Sequence, residues 1–165
     1  MAKIPASEKG GIFTFRAFDR RRLFLWEKSF HNTVTKAGLS NNLNVHLQSA
    51  SWYLGLVNNA GFSAFDSSTD TMASHPGWTE YSSYSQATRP AWASSLSGTF
   101  ISNAASPATF TFTGTAILKG AFLVSDNVKG ASNGILFASG AFPDLQTKAA
   151  LEILEVTYAT QAQAI

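Results

Sequence analysis

The chain has 165 residues, of which 45% are apolar and 13% are charged, with a formal net charge of +2. This length fits one domain with its own core. The lack of cysteine excludes disulfides and thiolate chemistry, and no apolar run approaches the roughly 20 residues of a membrane span. Abundant Ser, Thr and Phe favour pleated strands, so the composition predicts a β-rich protein.

Charge is unevenly distributed along the chain. Residues 1–36 hold eight cations and three acids, a net charge of +5, whereas residues 37–165 hold four cations and seven acids, a net charge of −3. This asymmetry predicts head-to-tail contacts between copies or docking on an acidic partner. The cluster Arg20–Arg22 also permits nucleic-acid binding, but three residues beside Asp19 are more typical of a solvated turn, so we expect no nucleic-acid partner.

The first third of the chain predicts an arm, a hairpin and one helix. Residues 1–11 have no apolar period and are predicted to form a flexible arm, followed by a single β-rich domain over residues 12–165. Ile12–Phe18 and Leu23–Lys28 predict a hairpin around the turn Asp19–Arg22. Apolar residues at helical spacing predict one short helix near residues 33–47. A buried strand is then predicted over Trp52–Val57.

A turn at Asn58–Gly61 leads into a long aromatic loop over Phe62–Pro90. Within this loop Ser67–Asp70 predicts the start of a short helix that ends at Pro76–Gly77. Asp66 and Asp70 are four residues apart, which suits helix capping better than a Ca²⁺ site, so no metal site is predicted. Trp and Tyr side chains in such a loop usually form its own small core, although they also permit a sugar-stacking platform.

From Pro90 onward the alternation of apolar and hydroxylated residues is typical of strands, most strictly in Thr109–Thr113, where Phe110 and Phe112 are predicted to point inward. Turns are predicted between these strands at Asn103–Pro107, Asp126–Gly134 and Pro143–Ala149. The predicted strands cover Ala91–Ala93, Thr99–Ser102, Ala108–Thr115, Ala116–Val124, Gly134–Phe142 and Leu151–Tyr158. The expected fold class is mainly β, with a β-sandwich or jelly-roll arrangement, one short helix and the aromatic loop.

No motif in the sequence predicts an enzyme. Gly130–Gly134 matches the spacing of a nucleophile elbow, but it lies between two predicted strands and all three histidines precede it. Asn133–Gly134 instead predicts a tight hairpin turn. The histidines and acids are scattered, without the spacing of a metal or glycosidase site. We therefore expect a non-enzymatic protein without cofactor or metal.

Several segments, in matching order and spacing over about residues 30–160, resemble a family of small virion-associated proteins of tailed bacteriophages. They are Asn32–Leu39, Trp52–Phe62, Asp70–Glu80, Tyr84–Trp92, Gly120–Ser125 and Val156–Tyr158. The resemblance implies a capsid decoration or cement protein that bridges capsomers on the exterior of the virion. It is expected to be made in the host cytoplasm, to bind the major capsid protein and itself as a homo-oligomer (a trimer being one arrangement), and to bind no membrane.

Composition and position then predict which residues anchor the partner, because Arg, Tyr and Trp dominate interface hot spots. The candidates are Arg16, Arg20, Arg21, Arg22, Trp78, Tyr81 and Tyr84. The alternative function is a tail or receptor-binding module with a glycan-binding β-sandwich, for which Trp78 and Trp92 are the predicted contacts.

Overall fold

The computed structural model describes residues 12–18, 23–31 and 42–162. The predicted flexible arm at residues 1–11, the hairpin turn with Arg20, Arg21 and Arg22, and most of the predicted helix over 33–47 lie outside these described residues. The part of the chain that is described contains no helix with the length and apolar character that crossing a membrane requires.

The described residues form eleven strands and one short π-helix, which confirms the mainly β fold class. The helix is Asn44–Gln48, at the end of the predicted helical segment. The strands are β1 (Ile12–Phe18), β2 (Phe24–His31), β3 (Tyr53–Asn58), β4 (Glu80–Tyr81), β5 (Ser95–Ser97), β6 (Phe100–Ser102), β7 (Ala108–Thr111), β8 (Ala116–Val124), β9 (Leu136–Lys148), β10 (Ile153–Val156) and β11 (Ala159–Gln161).

All pairings between these strands are antiparallel. The largest sheet has the order β4–β3–β8–β9, and smaller sheets join β11–β6–β5, β10–β7 and β1–β2. β3 and β8 lie in the centre of the largest sheet, with Leu54 opposite Leu123 and Leu56 opposite Ala121. Because both faces of these central strands are buried, they carry near-continuous apolar runs. The antiparallel pairing of β1 with β2 confirms the hairpin predicted from the N-terminal sequence.

Both faces of the largest sheet are buried, by different parts of the chain. One face contributes to a core shared with β6, β7 and the helix: Leu47, Leu54, Leu56, Ile101, Phe110, Phe112, Leu118 and Leu123. The other face is covered by the aromatic loop, in a second cluster: Val57, Met72, Trp78, Phe122 and Val124. Phe110 and Phe112 are fully buried, as predicted. The sandwich or jelly-roll arrangement of the sheets stays a prediction.

One glycine makes the second cluster possible. Gly55 on β3 lies opposite Phe122 on β8, and the phenyl ring of Phe122 covers the glycine backbone. A Cβ at residue 55 would lie 2.2 Å from the nearest ring carbon. The ring therefore occupies the space that a side chain on β3 would take, and any larger residue must displace it.

We expect Gly55→Ala to lower the free energy of unfolding by about 1–3 kcal/mol, because the methyl group forces the Phe122 ring out of its packed position. Urea unfolding measures this loss. Gly114→Ala is the matched control, since a Cβ at residue 114 meets no atom within 4 Å. Equal unfolding midpoints for the two variants would contradict the assigned role of Gly55.

Four local predictions are wrong. Ala91–Ala93 forms no strand, since Ala91 makes only an isolated bridge with Tyr53. Ser67–Asp70 begins no helix, because Asp66 closes a turn with Ser68 and Thr69 instead. Pro143–Ala149 is not a turn, since β9 continues through Pro143 to Lys148 as an edge strand, where a missing N–H is tolerated. Asn133–Gly134 does not form a two-residue hairpin: Gly134, at φ +89°, lies near the end of the long connection from β8 to β9.

Candidate functional site

β1 and β2, which together with Leu23 we call the hairpin arm (residues 12–18 and 23–31), form a two-stranded sheet. Its strands pair from Ile12 opposite His31 to Phe18 opposite Phe24. Among the described strands and the helix, β1 and β2 make their extensive contacts with each other. We call residues 42–162 the body. An isolated two-stranded hairpin is marginally stable in water. The hairpin arm therefore needs further contacts, within this chain or with a partner, to be stable.

The surface of the hairpin arm combines exposed apolar side chains with positive charge. Leu25 is 57% exposed, and Leu23 and Phe24 are also more than half exposed. Arg16, one of the predicted anchors, is exposed and pairs with Glu27 on the opposite strand. The sequence from residue 12 to residue 31 has a net charge of +3, of which the described residues Arg16, Glu27 and Lys28 account for +1. Such a surface suits contact with an acidic or weakly charged protein.

The second feature is the outer edge of β9. This thirteen-residue strand is at the end of its sheet, so no described strand pairs with its outer side. Beside β9 is an apolar groove of about 200 Å³, lined mainly by β3, β8, β9 and the segment that follows β10. Leu54, Ala138, Gly140, Phe142, Val156 and Tyr158 are among its lining residues. We call the strand edge and this groove together the β9 edge.

Two of the predicted anchors lie in the core rather than on the surface. Trp78 is 1% exposed: its ring stacks on His75 at 3.8 Å and its Nε1 donates to Asp70 Oδ2 at 2.8 Å. Tyr84 is 3% exposed, with its ring edge-to-face against Phe110. A partner at the surface does not reach these two side chains. Neither Trp78 nor Tyr84 therefore belongs to the proposed contact surface.

The other aromatic residues of this region are also held by the body. Tyr81 is half-buried against Phe112, and its hydroxyl donates to the Ser83 carbonyl at 3.2 Å. Trp92 is 4% exposed and donates from Nε1 to the Tyr158 carbonyl at 3.0 Å. Stacking on a sugar needs an open ring face, which neither Trp78 nor Trp92 offers.

The most elaborate polar cluster in the described residues joins Glu80 and Arg89, which sequence reasoning missed. The Arg89 side chain is fully buried and Glu80 nearly so. Arg89 donates to Glu80 Oε1 from Nε at 3.0 Å and to Oε2 from Nη2 at 2.7 Å. The two parallel hydrogen bonds give the bidentate geometry that makes such a pair strong.

Backbone groups complete this cluster. Arg89 also donates to the carbonyls of Asp126 and Ala131, each at 2.9 Å, and the Gly130 amide donates to Glu80 Oε2 at 2.8 Å. The ion pair therefore joins the aromatic loop to the connection between β8 and β9. The hydrogen bonds of Glu80 and Arg89 all serve to hold these two segments together. We therefore assign the cluster a role in stabilising the fold.

Lys129 and Tyr84 extend the same connection. Lys129 Nζ donates to the Tyr84 carbonyl at 3.0 Å and lies 4.3 Å from the centre of the Tyr84 ring. Burial raises the pKa of the Tyr84 phenol well above its usual value, an effect that the nearby Glu80 increases and Arg89 opposes. Tyr84 consequently stays neutral, as a core residue rather than a proton donor at neutral pH.

The aspartates that the sequence singled out make local hydrogen bonds within a turn and cap no helix, so the predicted helix capping is wrong. Asp66 accepts hydrogen bonds from the Ser68 amide and hydroxyl and from the Thr69 hydroxyl. Asp70 Oδ2 accepts from the Asp66 amide at 3.0 Å as well as from the Trp78 indole. The described residues contain no group of three or more His, Asp or Glu side chains placed to hold a metal ion.

We expect Asp66 to titrate at about pH 2, because the hydrogen bonds from Ser68 and Thr69 lower its pKa from 3.8. A depressed folded-state pKa contributes stability above the unfolded value of about 4, and this contribution is lost as the pH falls through the folded value. Carboxyl carbon shifts measured against pH by NMR give the pKa. Ser68→Ala should raise it, whereas Ser67→Ala, which removes a hydroxyl not bonded to Asp66 in the described structure, should not.

Comparisons with known proteins give no match: no protein-family model, no curated protein and no solved structure is significantly similar to this chain. The resemblance to the phage virion family therefore stays a prediction.

Proposed function

We propose that this protein is a non-enzymatic structural component of a tailed-phage virion, a capsid decoration or cement protein that binds the exterior of the head and bridges capsomers. The observation that carries the proposal is the hairpin arm, a separate two-stranded sheet that presents exposed Leu25 in a stretch of the sequence with a net positive charge. A protein that bridges capsomers needs such an extension, because its binding surfaces must reach more than one neighbour.

The construction of the body also supports this role. The buried ion pair between Glu80 and Arg89 joins two long irregular segments, and the aromatic loop is packed against a face of the largest sheet. These irregular segments are thus fixed by internal contacts. A rigid body with an arm suits a protein that resists outward pressure on a shell, because little of the binding free energy is lost in ordering the body.

The receptor-binding alternative has less support. It assigned glycan contacts to Trp78 and Trp92, and both rings are buried. The phage assignment itself comes from the resemblance of the segments between residues 30 and 160, and the major capsid protein is the partner that this resemblance implies.

Quantitative mass spectrometry of purified particles tests the proposal. A decoration protein is expected at a copy number of the same order as that of the major capsid protein, and a reconstruction should place its density on the outer surface of the head. Absence from the particle, or only a few copies at the tail, would overturn the proposal and favour the receptor-binding module.

A binding assay with purified heads that lack the protein tests the role of the arm. Leu25→Glu is expected to reduce co-sedimentation with these heads at least tenfold, because it places a charge in the apolar part of the arm. Val45→Glu is the matched control: Val45 is 52% exposed, similar to Leu25, but lies on the helix of the body. Equal binding of the two variants would show that the arm is not the contact.

A further inference from the structure

We infer that Asn133 is a site of spontaneous covalent modification, where the side-chain amide is lost as ammonia and an aspartate or isoaspartate residue remains. Asn133–Gly134 is the one Asn–Gly pair in the sequence. It lies in the connection between β8 and β9, which the cluster of Glu80 and Arg89 holds at other residues. The inference goes beyond the proposed function, because it concerns the chemistry of the chain itself and holds wherever the protein acts.

The fold requires glycine at position 134. The backbone there has a φ of +89°, which favours glycine over residues with a side chain. A Cβ at this position would lie 2.9 Å from the Asp126 Cβ and 3.0 Å from the Asp126 nitrogen. The next residue, Ile135, is held to Ser125 by two hydrogen bonds, of 3.1 and 2.8 Å. The residue that follows Asn133 is therefore the one whose amide nitrogen is least shielded by a side chain.

The Asn133 side chain is accessible. Asn133 and Gly134 are both exposed. Within the part of the chain that the structure describes, neither the Asn133 carboxamide nor the Gly134 N–H takes part in a hydrogen bond. Exposed segments without such bonds open locally at little cost in free energy. No hydrogen bond therefore has to break before the two reacting groups approach each other.

The reaction needs only these two residues and water. The Gly134 nitrogen attacks Cγ of Asn133, and the new bond closes a five-membered succinimide ring. The bond from Cγ to Nδ2 breaks, and Nδ2 leaves as ammonia with the proton that the Gly134 nitrogen has lost. Water then opens the ring: breaking its bond to Cγ gives aspartate, and breaking its bond to the main-chain carbonyl carbon gives isoaspartate. Neither an oxidant nor a reductant is consumed.

Two other asparagines of the described chain lack these conditions. Asn127, in the same connection, precedes Val128, whose β-branched side chain hinders attack by its amide and whose N–H already donates to a carboxylate. Asn103 is fully buried, and its Oδ1 accepts from the Tyr158 amide at 2.8 Å. Both residues therefore serve as internal controls for Asn133.

The modification changes the charge and the backbone of the connection. An aspartate lowers the formal net charge of +2 by one. Isoaspartate also adds one carbon atom to the main chain directly before Gly134. Because Gly134 lies close to Asp126 and Ile135 is bonded to Ser125, the longer main chain has to displace at least one of these contacts. Accumulation of isoaspartate therefore loosens the connection ahead of β9 as the protein ages.

Incubation of the full chain in mildly alkaline buffer, followed over time by peptide mapping with mass spectrometry, tests this inference. The Asn133 amide is expected to be lost from the folded protein at a rate within about tenfold of that in the urea-unfolded chain, because local opening of an exposed connection costs little free energy. Asn127 and Asn103 should keep their amides in the folded protein over the same period.

Hydroxylamine detects the intermediate directly, because it attacks the succinimide and divides the chain between residues 133 and 134. Asn133→Gln is expected to abolish both this cleavage and the more acidic form seen on ion exchange, since its longer side chain would have to close a six-membered ring. Asn127→Gln makes the same change in the same connection and should leave both signals unchanged. Thermal unfolding confirms that each variant is folded.

Retention of the Asn133 amide in the folded chain, under conditions in which the unfolded chain loses it, would overturn the inference, because the fold would then keep the two reacting groups apart. Hydroxylamine cleavage and an acidic form that persist in folded Asn133→Gln would also overturn it, since the reactive residue would then lie elsewhere.

Discussion

Replacing Arg89 by methionine is expected to lower the free energy of unfolding by about 3–5 kcal/mol, as measured by urea unfolding. The substitution keeps a long apolar side chain but removes the donors to both Glu80 oxygens and to the carbonyls of Asp126 and Ala131. Glu80 is then left as a buried charge without its cation. This desolvated carboxylate, together with the two lost carbonyl partners, accounts for the size of the effect.

The double variant Glu80→Gln/Arg89→Met is expected to be less destabilised than Arg89→Met alone, because the neutral amide leaves no buried charge. Lys119→Met is the control for losing a cation, since Lys119 is only partly buried, 5.6 Å from the ring centre of Phe62. It should change stability by less than about 1 kcal/mol. A loss as small as this for Arg89→Met would contradict the structural role of the cluster.

Trp78→Ala is expected to cost about 3–5 kcal/mol of unfolding free energy, because it empties the centre of the second core cluster. The indole lies between the aromatic loop and the largest sheet, with its centre 5.1 Å from that of Phe122 and 5.9 Å from that of Phe65. Its removal also leaves Asp70 without the indole donor. Thermal or urea unfolding measures the loss.

Trp78→Phe keeps one aromatic ring but removes the second ring of the indole together with its N–H, so it retains part of the packing and loses the hydrogen bond to Asp70. It should be clearly less destabilising than Trp78→Ala. A residue that anchors a partner from the surface would behave differently: its replacement by alanine would reduce binding and leave the unfolding midpoint almost unchanged. That outcome would contradict the core position of Trp78.

Strands could be predicted from sequence where the apolar residues that point to a buried face recur at a constant spacing. The alternation in Thr109–Thr113 correctly placed Phe110 and Phe112 in the core, and the bounds predicted for Ala116–Val124 are those of β8. Edge strands were harder to predict from sequence, because an edge strand has only one neighbouring strand and tolerates residues that interrupt a central strand. β9 therefore runs through Pro143, which the sequence indicated as a turn.

The candidate site was predicted less completely. The hairpin arm follows from local alternation around a turn, so both its strands and its charge were apparent from sequence. The pairing of Glu80 with Arg89 was not, because it forms across an irregular loop and depends on backbone carbonyls from the distant connection after β8. Burial of Trp78 likewise depends on Gly55, whose missing side chain makes room for Phe122 beneath it.

Hydrogen exchange measured by mass spectrometry tests most directly the central claim that the hairpin arm is completed by a surface outside its own body. In the isolated chain at high dilution, amides of β3 and β8 should be strongly protected, whereas those of residues 12–18 and 23–31 should exchange rapidly. Binding to purified heads should slow exchange in the arm. Protection of the arm equal to that of β8 in the dilute chain would contradict the claim, because the arm would then be held by its own body.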